Sequence, residues 1–112
     1  MTAKTMPFEV KVGYRTLEIE LMPKLSGYEF SGLVNVVEGK IEIRQELDGV
    51  EKLNTLIHEI IHAVDRIYRC EPPLTEPQVA SLANGLHGVL RDNPELTRYI
   101  YEEASDAPSS VE

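Results

Sequence analysis

An α+β domain is what this 112-residue chain predicts, on three observations. Residues 8–44 alternate apolar and polar side chains in short runs. Residues 48–69 and 75–92 repeat apolar side chains at three- and four-residue intervals. The period changes once, from two to about 3.6, so a strand-rich half is followed by packed helices.

Residues 8–12 and 16–21 alternate as half-buried strands do, with Gly13 as a turn or bulge between them. Residues 23–27 read as a loop. Two more strands, residues 33–37 and 40–44, flank Glu38-Gly39, a pair suited to a two-residue hairpin. Residues 45–47 lead into a helix with Asp48 as N-cap and Glu51 three positions on as its capping-box-like partner. Leu53, Leu56, Ile57, Ile60, Ile61, Val64 and Ile67 give that helix one apolar face. Pro72-Pro73 ends it near Arg69. Thr75 and Gln78 have the spacing of a capping box that opens a second helix, with Pro77 tolerated in its first turn. Its apolar face holds Val79, Leu82, Ala83, Leu86, Val89 and Leu90, and Asp92-Asn93-Pro94 stops it. A short last helix carries Leu96, Tyr99 and Ile100.

Length and composition fit one domain over residues 1–101, followed by an acidic, disordered tail over 102–112. The formal charge is −8, and four acids with no base lie in that tail, which leaves −4 for residues 1–101. Such a balance offers no electrostatic footprint for nucleic acid. A lone Cys70 makes no internal disulfide and suits a reducing compartment. No apolar run reaches the roughly 18 residues of a membrane span, and residues 1–10 lack a signal-peptide core. The expectation is a cytoplasmic protein without membrane or nucleic-acid partners.

The chemistry-bearing feature is His58-Glu59-Ile60-Ile61-His62. Positions i and i+4 share a helix face, so two imidazoles there can converge on one metal ion at ~2.0–2.1 Å. Glu59 is rotated roughly 100° from His58, out of easy ligation but within reach of water at that metal. The competing reading is a buried helix that tolerates two histidines. Against it, the motif lies inside an apolar helical run, with His58, His62, Asp65 and Arg69 as a separate polar stripe.

A catalytic zinc site takes three protein ligands and keeps one position open. A third histidine six residues after the second is excluded, because Tyr68 stands there and Asp65 occupies the intervening glycine position. A carboxylate from another helix is the remaining route. Glu71, at the end of the motif helix, cannot easily fold back. Glu76 begins the inward stripe of the second helix, three and seven residues before Val79 and Ala83. It reads as the third ligand, against the alternative of a solvated first-turn carboxylate favoured by the helix dipole. Asp65 is either a partner that fixes a histidine tautomer or one half of a surface salt bridge with Arg69. His87 lies eleven residues after Glu76, roughly 16 Å along the axis, too far to ligate and so packed or exposed on the helix.

In residues 55–63 (Thr-Leu-Ile-His-Glu-Ile-Ile-His-Ala) and the later helix from Glu76 to Ala83, the chain resembles gluzincin-type zinc metallopeptidases. The likeness is to the small ImmA/IrrE-like domains of phages and mobile elements, and it covers about residues 8–92. It implies a zincin-like fold: a small antiparallel-rich sheet, an active-site helix bearing the HExxH motif, and a second packed helix. By that resemblance His58, His62 and Glu76 would hold Zn²⁺, and Glu59 would act as general base on a protein or peptide substrate. The substrate would dock along residues 33–37 as a sheet edge, with Tyr99 or Tyr101 as a conceivable donor to the oxyanion. The alternative, from another class, is a non-catalytic zinc-stabilised interaction module from a mobile element.

Overall fold

The computed structural model describes residues 6–23 and 30–106. Alternation resolves into four strands: β1 (Glu9–Val12), β2 (Arg15–Met22), β3 (Gly32–Asn35) and β4 (Lys40–Arg44). Three helices follow: α1 (Gly49–Tyr68), α2 (Glu76–Asp92) and α3 (Pro94–Asp106). The fold is therefore α+β, a mixed four-stranded sheet with three helices.

Strand order is β1-β2-β4-β3. The two outer pairings are antiparallel, and the central pair, β2 with β4, is parallel. β4 thus returns between β2 and β3 and leaves β3 as a sheet edge. The β1–β2 hairpin is closed by Val12 opposite Arg15, with Gly13 at a φ of 61° that a residue with Cβ adopts only with strain. The β3–β4 hairpin departs from expectation. Residues 36–39 form a four-residue turn instead of Glu38-Gly39 alone, and β3 stops at Asn35. Side chains explain the difference. Asn35 Oδ1 accepts from the Glu38 amide at 3.0 Å, and Arg15 donates from Nε to Val36 O (3.0 Å) and from Nη2 to Val37 O (2.8 Å). Those bonds draw Val36 and Val37 out of the ladder.

α1 opens on Asp48, whose carboxylate accepts the Glu51 amide at 2.8 Å. It ends at Arg69, a non-glycine residue in the left-handed region (φ 58°). Between those caps the helix lies between two apolar layers. Leu56 and Ala63 pack on Val12, Leu17, Ile19, Val34, Ile41 and Ile43 of the sheet. Ile61 packs instead on Val79 and Ala83 of α2. The single apolar face expected for α1 is thus two adjoining faces, one for the sheet and one for α2. Full burial of an aliphatic side chain such as Ile41 or Ile43 contributes about 1.5–3 kcal/mol, so the sheet layer anchors the helix.

Several positions expected in the core are open instead. Leu53 of α1 is exposed, and so are Leu82, Leu86, Val89 and Leu90 of α2. α1 is one helix wide, so it covers only the Val79–Ala83 side of the broader apolar arc of α2. α3 follows α2 directly after Asn93, and residues 91–103 are all exposed, Leu96, Tyr99 and Ile100 among them. α3 runs through Asp106, so residues 102–106 of the expected tail continue a helix, while residues 107–112 lie outside the described residues. Among the described residues no helix is long and apolar enough to cross a membrane.

Candidate metal centre

α1 and α2 run side by side, and their facing stripes carry polar side chains at both ends of an apolar contact. At one end His58 and His62, a turn apart, bring their ring centroids to 5.0 Å. Glu76, the first residue of α2, meets both. Its Oε2 lies 2.8 Å from His58 Nε2 and its Oε1 lies 2.8 Å from His62 Nε2. One ligand atom from each of the three residues falls within 4.8 Å of the others. The expected set of His58, His62 and Glu76 is therefore brought together.

The donor chemistry fits a zinc-type cation. Two neutral imidazoles and a carboxylate are borderline ligands, and bonds of ~2.0–2.2 Å in a tetrahedron need donors roughly 3.3–3.5 Å apart. The nitrogen–oxygen contacts at 2.8 Å are about 0.5 Å shorter than that, a gap that a small withdrawal of the carboxylate closes. Glu76 has that freedom, because its side chain is 65% exposed, whereas the histidines are held at 20% and 23%.

The placement of Glu76 follows from local sequence. Thr75 and Gln78 make the reciprocal capping box: Oγ1 accepts the Gln78 amide at 3.2 Å and Gln78 Oε1 accepts the Thr75 amide at 2.9 Å. Asp65 Oδ1 accepts the Leu74 amide at 3.2 Å and ties the connecting loop back to α1. That is neither role expected for Asp65. It braces the backbone just ahead of Glu76 instead of partnering a histidine or Arg69. At the far end of the helix pair, Asn54 Nδ2 donates to Asn84 Oδ1 (3.0 Å) and to His87 Nδ1 (3.2 Å). His87 is packed rather than solvated, at 7% exposure, and takes no part in the ligand cluster. These two polar ties fix the register of α2 against α1, which sets Glu76 level with the histidine pair.

Glu59 turns towards the sheet edge and is 7% exposed. Burial raises its carboxyl above the ordinary value, an effect partly offset by His62 and His58. An open cleft of ≈ 290 Å³ runs past it, lined by Phe30, Ser31, Gly32, Thr55, His58, Glu59 and Glu76. Gly32 is a residue that sequence reasoning missed. A Cβ on it would lie 2.6 Å from Thr55 Cγ2, 3.1 Å from Glu42 O and 3.2 Å from Glu59 Cγ. β3 can cross the base of the cleft only because that position has no side chain. The available signal was a glycine just ahead of an apolar strand, in a chain whose metal motif lies on the next helix.

Tyr99 and Tyr101 do not line the cleft; both are exposed on α3. Cys70 and Glu71 stand outside the cluster of His58, His62 and Glu76, and the Cys70 thiol is raised by desolvation and by the neighbouring Asp65. No protein-family model matches the chain, and no curated protein and no solved structure matches it.

Proposed function

We propose that the chain is a zinc-dependent metallopeptidase of the gluzincin type, acting on a cytoplasmic protein or peptide. The observation that carries this reading is the convergence of His58, His62 and Glu76 at one end of the α1–α2 contact, with Glu59 buried beside them on an open cleft. A purely structural metal site has no use for an acid kept next to its ligands at the cost of desolvation.

His58 and His62, positioned by α1, would be the fixed ligands of a zinc ion, and Glu76 the adjustable one. Bound there, zinc would supply Lewis acidity that acidifies water and polarises a carbonyl. Glu59 takes a proton from the attacking water at its carboxylate and delivers it to the leaving amine. Burial suits it to that cycle, because a carboxyl raised from its ordinary value holds the proton long enough to return it. Gly32 and Thr55 line the cleft beside Glu59, which is itself buried. β3, an outer strand of the sheet among the described residues and beside the cleft, would be the edge along which an extended peptide adds a strand.

Glu59→Gln tests the reading, because it removes the base while keeping the side-chain shape. With unfolded casein and a quenched fluorescent peptide library as substrates, cleavage is expected to vanish while zinc content is unchanged. Cleavage that persists in Glu59→Gln overturns the mechanism. Zinc binding by a wild-type protein that cleaves neither substrate favours the non-catalytic module.

A further inference from the structure

α2 is tied to α1 near its start by a side chain outside the ligand cluster. His58, His62 and Asp65 follow one another at four- and three-residue steps, so Asp65 stands on the same stripe of α1 as the two imidazoles, one turn beyond His62. Its Oδ1 accepts the Leu74 amide at 3.2 Å. Its backbone carbonyl accepts the Cys70 amide at 3.1 Å and the Arg69 amide at the helix cap. Side chain and main chain of Asp65 thus gather the connection that leads into α2. Leu74 is held a second time, because its side chain packs on the buried cluster of Ile61, Val79 and Ala83. Thr75, the N-cap of α2, is all that separates this anchor from Glu76. An acid at this place works against α1 itself. Asp65 begins the last turn of the helix, where the negative end of the macrodipole favours a base, and aspartate is a poorer helix former than alanine.

We infer that Asp65 is a positioning residue for the third metal ligand: by holding the Leu74 amide it sets where α2 begins and keeps Glu76 level with His58 and His62. The inference rests on the reading of those three residues as zinc ligands. Glu76 needs such a hold more than the histidines do. His58 and His62 sit on one helix and are 20% and 23% exposed, whereas the Glu76 side chain is 65% exposed. Its place over the two rings therefore depends on the path of the backbone through residues 69–75. With Asp65 in place, all three ligands are referred to one stripe of one helix, two directly and the third through Leu74. The hold is a hydrogen bond to an acceptor oxygen, so an amide oxygen at the same reach would serve as well as a carboxylate. Groups that orient metal ligands typically carry about 10–100-fold in metal affinity, and Asp65 acts at one remove, through backbone, which puts its effect near the lower end.

Zinc affinity of the full chain, read by competition with a chromogenic chelator, tests this with Asp65→Ala, Asp65→Asn, Glu76→Ala and the Asp65→Ala, Glu76→Ala double variant. Asp65→Ala is expected to weaken zinc binding about tenfold, and Asp65→Asn, which keeps the acceptor oxygen, to stay within about threefold of wild type. With Glu76 already removed, Asp65→Ala should change the affinity by less than about twofold, because it acts through that ligand alone. In the metal-free protein, hydrogen exchange at the Leu74 amide should quicken in Asp65→Ala and not in Asp65→Asn. If Asp65→Ala fails to fold, Asp65→Ser, whose hydroxyl falls one bond short of Leu74, takes its place with the same expectations. An Asp65→Ala protein that binds zinc as tightly as wild type overturns the inference and leaves the zinc reading intact. An equal loss in the Glu76→Ala background overturns it too, because Asp65 would then act on the histidines or on the fold. A wild-type protein that takes up no zinc overturns the zinc reading, and this inference with it.

Discussion

Gly32→Ala is the perturbation whose effect can be worked out furthest. Gly32 is not in the left-handed region, so alanine meets no backbone penalty there, and its lower unfolded-state entropy alone would stabilise by about 0.4–1 kcal/mol. Sterics oppose this. The added Cβ would stand 2.6 Å from Thr55 Cγ2 and 3.1 Å from the Glu42 carbonyl. The carbonyl belongs to the neighbouring strand, and Thr55 on its helix has only two favoured χ1 rotamers to choose between. Overpacking of this kind costs about 1–3 kcal/mol, so the net change is about 1–2 kcal/mol destabilising. For a domain of this size each kcal/mol lowers Tm by about 4–8 °C, which puts the expected fall between about 5 and 15 °C. Thermal unfolding of Gly32→Ala, Thr55→Ser and the double variant measures it. Serine removes Cγ2 and relieves the shortest contact, so the double variant should recover at least half of the loss. A Gly32→Ala protein as stable as wild type would refute the close packing of β3 on α1.

Two further outcomes follow from caps and burial. Thr75→Ala removes one half of the capping box and should cost about 1 kcal/mol by urea denaturation, and it should weaken zinc binding by loosening the turn that presents Glu76; an unchanged zinc affinity would mean the cap does not position the ligand. Glu59→Gln should stabilise the metal-free protein at neutral pH. A carboxyl raised from 4.5 by burial holds its proton more tightly folded than unfolded, so stability falls as pH rises above about 4.5 and the cost is full above the folded value. Glutamine carries no such cost, so the difference in Tm between variant and wild type should grow from about pH 4.5 upwards. A difference independent of pH would contradict the burial of an ionisable Glu59.

The sequence carried the local decisions well, because those rest on near neighbours in the chain. Asp48 and Thr75 cap their helices, Gly13 turns the first hairpin, and His58, His62 and Glu76 converge as their spacing implied. What it did not carry depends on contacts between distant segments. Arg15 reaches across to the turn after β3 and lengthens it. Asp65 braces Leu74 nine residues away, and Asn54 reaches Asn84 and His87. Periodicity gave α2 an apolar face, but only packing revealed that α1 covers the Val79 and Ala83 side and leaves Leu82, Leu86, Val89 and Leu90 open. Gly32 was legible as a glycine and not as a contact, since its neighbours Thr55 and Glu59 belong to another element.

Metal content bears most directly on the central claim. Protein purified without chelator and analysed by inductively coupled plasma mass spectrometry should hold close to one zinc per chain, and a His58→Ala, His62→Ala double variant of the same fold should hold none. Wild-type protein that carries no metal and takes up none on zinc titration would contradict the account, leaving the contacts of Glu76 with the two histidines as a hydrogen-bonded cluster without a cation.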